Sequence, residues 1–203
     1  MTTKNSVTTI EIWGDSHLDE IAGIGARHAL TYENNFRETT KILENNAKAG
    51  SYLLQWLSQY AAKTENHADI VVVSTGFNDA VMIAYGLLTP QQVRTSWELF
   101  ASIAKKRNQT VLWVPTNFKY GRAPEEFPAT EMLHLLPHCL GVEVLDWNPT
   151  AEQMCPDRVH YTYETYFLLA QQIFDTVETF SNQHVSNETA ETDKNLEATT
   201  DNG

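Results

Sequence analysis

The chain has 203 residues, which suits one domain, and its 42% hydrophobic and 10% aromatic content is enough to build a core. A net charge of -12 speaks against nucleic acid or an anionic membrane surface as the main partner, since both select for Lys and Arg. Cys139 and Cys155 supply neither a disulfide framework nor metal-ligand spacing, and fit reduced thiols in a cytoplasmic setting.

Thr8 to Trp13 alternates and is rich in β-formers, so it reads as the first strand, running directly into Gly14-Asp15-Ser16. Leu18 to Leu30 predicts a helix, weakened by Gly23 and Gly25. Thr39 to Glu44 is a short second strand. Asn45 to Gly50 is turn-like, and Ser51 stands where it can cap a helix with apolar positions at Leu53, Leu54, Trp56, Leu57 and Tyr60. Ile70 to Val73 is a continuous apolar run, the pattern of a strand buried on both faces of a parallel sheet. Thr89-Pro90 opens a helix that reaches about Lys106, since Pro is tolerated in the first turn. Val111 to Val114 is the next strand, closed by Pro115. Thr116 to Pro128 is a long polar and aromatic loop, Thr130 to Cys139 a helix, and Val142 to Leu145 the last strand. A loop then carries Asp157 and His160, and Glu164 to Phe180 is a strongly apolar helix.

The last stretch, 181–203, has five acids against one lysine, and Val185 and Leu196 as its large aliphatic residues. Too little apolar surface is available there to offset the entropy of ordering, so the composition predicts a disordered acidic tail after a domain at 8–180. Met1 to Val7 lacks the apolar segment of a secretory signal, and no window reaches the length of a membrane span.

Strands and helices alternate, so the class is α/β with a mostly parallel sheet covered on both faces. Such sheets bind ligands beyond the carboxyl ends of their strands. Three islands fall there: Gly14-Asp15-Ser16-His17 after the first strand, Gly76-Phe77-Asn78-Asp79 after the third, and Asp157-Arg158-Val159-His160 after the last. A serine hydroxyl is a poor nucleophile until a base takes its proton, and His160 can be that base. Asp157, three residues earlier, can hold the imidazole in one tautomer and stabilise it as a cation. An attacked carbonyl becomes an oxyanion, for which the N–H of Ser16, the N–H of Gly50 and the side-chain amide of Asn78 are candidate donors.

This ordered set, with Gly50 in an Asn-rich turn and Asp157-Arg158-Val159-His160-Tyr161-Thr162 near the end, resembles the SGNH (GDSL-like) hydrolases over roughly Ile10 to Phe180. The resemblance implies a three-layer α/β/α, flavodoxin-like fold with a mostly parallel five-stranded sheet, and hydrolysis of carboxylic esters. It implies Ser16 as nucleophile, Asp157 and His160 as acid and base, and Ser16, Gly50 and Asn78 as the oxyanion hole. No metal or cofactor is implied. His17 stands where the namesake motif usually has Leu, and Ala47 where a glycine is common.

His17 reads as structural or rim-lining, because one base is enough for this chemistry. Asp79 reads as a helix cap or a support for the site loops. His17, Phe77, Phe118 and Tyr120 are the candidates for lining a substrate pocket. The polar loop suits a short acyl ester of a polar alcohol or sugar. His134 and His138 are four apart, but Pro137 lies between them and no Glu-x-x-His pattern accompanies them. Three rivals are transfer of the acyl group to a saccharide, a degenerate hydrolase kept as an interaction surface, and a non-enzymatic binding module for a group such as flavin mononucleotide. The acidic loop after the first strand disfavours the flavin. The Gly-x-Ser-x-Gly elbow of the α/β-hydrolases is absent, since position 18 is Leu18.

Overall fold

The structure, a computed structural model, describes residues 7–19, 25–65, 67–116 and 129–200, with side chains as far as Asn182. Five parallel strands form one sheet: β1 (Thr8–Gly14), β2 (Thr40–Asn45), β3 (Ile70–Ser74), β4 (Thr110–Trp113) and β5 (Glu143–Val144). Their order is β2-β1-β3-β4-β5, the flavodoxin-like order. Among the described residues six α-helices follow the strands: α1 (Ala26–Phe36), α2 (Leu53–Ala62), α3 (Phe77–Ala84), α4 (Pro90–Lys106), α5 (Thr130–Cys139) and α6 (Tyr163–Thr200).

Side-chain alternation divides the core into two layers. Ile10, Ile12, Ile70, Val72, Leu112 and Val114 pack with Ala29 and Leu30 of α1 and Leu169, Ile173 and Phe174 of α6. Trp13, Val71, Val73, Val111 and Trp113 face the opposite way, onto Trp56 and Tyr60 of α2, Trp97 and Phe100 of α4, and Leu133 of α5. The apolar runs of β3 and β4 reflect this burial on both sides. The fold is therefore three-layer α/β/α, with the sheet between two helical layers.

Several boundaries differ from the sequence pattern. α1 starts at Ala26, after Gly25 at φ 143, and continues past Leu30 to Phe36. α3 is a separate helix of 8 residues that the pattern does not resolve, because it is too short for a periodic signal. Ser51 is not the cap of α2: that position belongs to Tyr52, and the Ser51 hydroxyl donates instead to the carbonyl of Gly14 at 2.7 Å. β5 has only two residues, although the N–H of Leu145 extends its pairing to the carbonyl of Trp113 at 2.9 Å. The backbone of α6 stays helical past Phe180 to Thr200, through a stretch whose composition alone predicts disorder. No Pro or Gly interrupts 163–200, so nothing in that stretch forces a stop. Among the described residues no helix is long and apolar enough to cross a membrane.

Candidate active site

β1 ends at Gly14, opposite Ser74 of β3. A Cβ at Gly14 would lie 2.1 Å from the carbonyl oxygen of Ser74, so only glycine permits this approach, at φ 142. The N–H of Asp15 then donates to that same carbonyl at 3.1 Å. The carbonyl of Asp15 accepts from the N–H groups of Leu18 and Asp19, closing a tight turn. Ser16 sits in this turn, 6% exposed.

His160 arrives from 144 residues away on the loop between β5 and α6. That loop is closed by a bridge between Met154 and Tyr161 and by the N–H of Cys155 donating to the carbonyl of His160 at 2.7 Å. Arg158 turns the chain with a left-handed φ of 57, rare for a side chain of its size. Asp157 Oδ1 accepts from the N–H groups of Val159 at 2.9 Å and His160 at 3.0 Å. Its Oδ2 lies 2.6 Å from Nδ1 of His160. A carboxylate only accepts, so Nδ1 carries the proton, and Nε2 meets Oγ of Ser16 at 2.8 Å with its lone pair. Partial burial works against the charge of Asp157, but the bonds from the His160 ring and the two backbone N–H groups hold its carboxyl below the ordinary range.

A chain of hydrogen bonds ties the candidate oxyanion donors to the serine turn. The carbonyl of Gly14 accepts from the N–H of Lys48 at 2.9 Å as well as from Ser51 Oγ. The carbonyl of Ser51 in turn accepts one amide proton of Asn78 at 2.9 Å, and the other has no partner among the described residues. Asp19 Oδ2 accepts from the N–H of Ala49 at 2.8 Å. Gly50 lies within this turn at φ 76. Among the described residues the N–H groups of Ser16 and Gly50 have no hydrogen-bond partner.

Asp79 caps the start of α2 from a distance. Its Oδ1 accepts from the N–H of Leu53 at 3.2 Å and its Oδ2 from the hydroxyl of Thr75 at 2.6 Å. Burial, with Asp15 nearby, pushes its carboxyl up to about 6.

His17 is 1% exposed and does not reach the rim as a lining residue. Its Nδ1 lies 3.1 Å from Asp15 Oδ1 and its Nε2 3.1 Å from the carbonyl of Val159. Phe77 is half-buried and packs against the α2, α4 and α5 core. Phe118 and Tyr120 lie outside the described residues. The sequence reading misses the contact of Asp15 with His17 and the stitching by Ser51. The Asp-x-His spacing at 15 and 17 was a legible signal for the first; nothing local signals the second. Among the described residues no group of three or more His, Cys, Asp or Glu is arranged to hold a metal.

No protein-family model matches the chain, and no curated protein matches it by sequence. Its fold does match solved structures. A GDSL-like lipase of Parabacteroides merdae superposes with a TM-score of 0.66 at 13% identity, covering 86% of this chain and 97% of that one. The psychrotrophic esterase EstA of a Pseudoalteromonas species, in a form inhibited by monoethylphosphonate, gives 0.65 at 16% identity, with 86% and 99% covered. The acetyl xylan esterase AlAXEase gives 0.64 at 12% identity, with 83% and 99% covered. The chain therefore has the fold of the SGNH (GDSL-like) hydrolases, spanning nearly the whole length of these neighbours.

Proposed function

We propose that the chain is a serine esterase of the SGNH type, with Ser16, His160 and Asp157 acting in series. The observation that supports this most is the contact of hydroxyl, imidazole and carboxylate at 2.8 and 2.6 Å, from two segments 144 residues apart. Ser16 Oγ attacks the ester carbonyl while Nε2 of His160 takes its proton. Asp157 stabilises the imidazolium that forms. The oxyanion is received by the N–H groups of Ser16 and Gly50 and by the second amide proton of Asn78. Collapse of the tetrahedral species breaks the C–O bond to the alcohol, which leaves with the proton from His160. Water, deprotonated by the same imidazole, then releases the acid and restores the serine.

The substrate we favour is a short acyl ester of a polar alcohol or sugar. Support comes from structural neighbours named as acetyl xylan and acetyl-xylooligosaccharide esterases, and from the polar composition of the 116–128 loop. The working unit is taken as 8–180, with 181–203 an acidic appendage.

Ser16→Ala decides the chemistry. Turnover of a short p-nitrophenyl ester falls to background, a loss of roughly 10,000-fold or more, with the circular dichroism spectrum unchanged. Retained turnover removes Ser16 as nucleophile. Running the reaction with acetylated saccharides and an acceptor sugar separates hydrolysis from acyl transfer.

A further inference from the structure

The ring of His17 has an unusual pair of neighbours. Asp15 Oδ1, at 3.1 Å from Nδ1, belongs to a carboxylate, and the oxygen 3.1 Å from Nε2 is the backbone carbonyl of Val159. A backbone carbonyl never donates, and an ionised carboxylate does not either. A neutral imidazole has one N–H, so one of these two contacts would set lone pair against lone pair. The imidazolium satisfies both.

The surroundings agree with a charged pair. Asp15 is fully buried, and among the described residues its Oδ2 has no partner and His17 is the one side chain able to carry positive charge that contacts it. An isolated carboxylate in such a place is costly, whereas a bonded pair is far less so. Burial disfavours the His17 cation, yet Asp15 and the Val159 carbonyl raise its ring above the ordinary value.

The carbonyl that His17 grips belongs to the peptide joining Val159 to His160. The N–H of that same peptide donates to Asp157 Oδ1 at 3.0 Å. One peptide plane is thus held at both edges, and it carries the backbone of His160. The two histidine rings stack at an interplanar angle of 29°, with centroids 5.8 Å apart.

We propose that His17 is a positioning residue: as an imidazolium paired with Asp15, it clamps the Val159–His160 peptide and so holds His160 against Ser16, and loss of its proton opens the clamp. This rests on the esterase reading for its kinetic consequences only. At alkaline pH hydroxide removes one ring proton, and the electron pair of that N–H bond stays on nitrogen. The remaining N–H is worth more against the Asp15 carboxylate than against a neutral carbonyl. Nε2 is then left bare opposite the oxygen of Val159, and the peptide is repelled. The groups facing His17 are Asp15 from its own turn and Asp157, His160 and Tyr161 from the last loop. Asp79 of α3 and Tyr166 of α6 lie within electrostatic reach of Asp15.

Two measurements test this. In the wild-type protein, nitrogen-15 NMR of the assigned His17 ring shows both nitrogens protonated at pH 7. On raising the pH, the His160 ring signals shift with the midpoint of His17. A neutral His17 ring at pH 7, or His160 signals indifferent to it, overturns the proposal. In kinetics, His17→Leu lowers kcat roughly 10- to 100-fold with KM little changed, as expected for a displaced base. It also abolishes the alkaline fall in kcat, because the clamp is open at every pH. A folded His17→Leu variant with wild-type kcat and an intact alkaline limb overturns it. If wild type cleaves no ester while the two rings titrate together, the esterase reading fails and the clamp stands.

Discussion

Two buried polar networks sit at opposite ends of the same sheet, and they are wired differently. At the amino end of the strands, Glu11 of β1 is 0% exposed and accepts from Lys63 Nζ and from Gln109 Nε2, each at 2.7 Å. Gln109 also donates to the carbonyl of Ala68 and accepts from the hydroxyl of Tyr60. Arg107 covers the Tyr60 ring, 4.6 Å from its centroid, and donates to the carbonyls of Tyr60 and Ala61 at the end of α2. Burial pushes the Tyr60 phenol up to about 12, so it stays a donor. Within that network the charged and amide groups bond to one another or to backbone carbonyls. At the carboxyl end the N–H groups of Ser16 and Gly50 and the Oδ2 of Asp15 have no partner among the described residues. A closed circuit of this kind is a structural device. Unfilled donors beside an ordered hydroxyl are what a reacting oxyanion completes.

The contrast breaks most sharply at Lys63. Lys63→Met leaves the Glu11 carboxylate buried without its cation and costs about 3 to 5 kcal/mol of stability in urea unfolding. Activity per folded molecule is unchanged. Adding Glu11→Gln removes the orphaned charge and recovers most of the loss. If Lys63→Met unfolds like wild type, the amino-end network is not the closed unit described.

Asn78→Ala has the opposite signature. It lowers kcat about 100- to 1000-fold, the usual cost of one oxyanion donor. Stability falls only by about 1 kcal/mol, for the single bond to the carbonyl of Ser51. A variant equally damaged in both would show that Asn78 serves the turn and not the oxyanion.

The same contrast explains what the sequence could reveal. Ile70–Val73 was legible because burial on both faces leaves a continuous apolar run. Ser16, Asn78, Asp157 and His160 stand out in the sequence because each sits in a short motif after a strand, and strand ends converge in this class of sheet. Ser51 has the local pattern of a cap, but its hydroxyl bonds Gly14, 37 residues away, while Asp79 supports that helix start from 26 residues on. The contact of His17 with the carbonyl of Val159 spans 142 positions and has no local pattern. Glu11 reads as the solvent side of an alternating strand and is fully buried, because its partners Lys63 and Gln109 come from two other loops. Local rules find motifs; they do not find the partners that satisfy them.

Asp79 sharpens the comparison, since it stands at the end that carries the candidate site yet is wired like the amino-end network. Asp79→Ala strands the N–H of Leu53 and the hydroxyl of Thr75, and costs roughly 1 to 3 kcal/mol. Its carboxyl rises from 3.8 to about 6 on folding, so the folded state binds the extra proton between those values. The contribution of Asp79 to stability is therefore greatest at low pH and declines as pH rises through that window. Asp79→Asn cannot ionise and lacks this decline. Unfolding free energies of the two proteins, measured in parallel, converge or cross as pH rises from 4 to 6 and run parallel above 7. A constant difference across the whole range would mean that Asp79 is already ionised at pH 4, its charge sustained by the two donors alone.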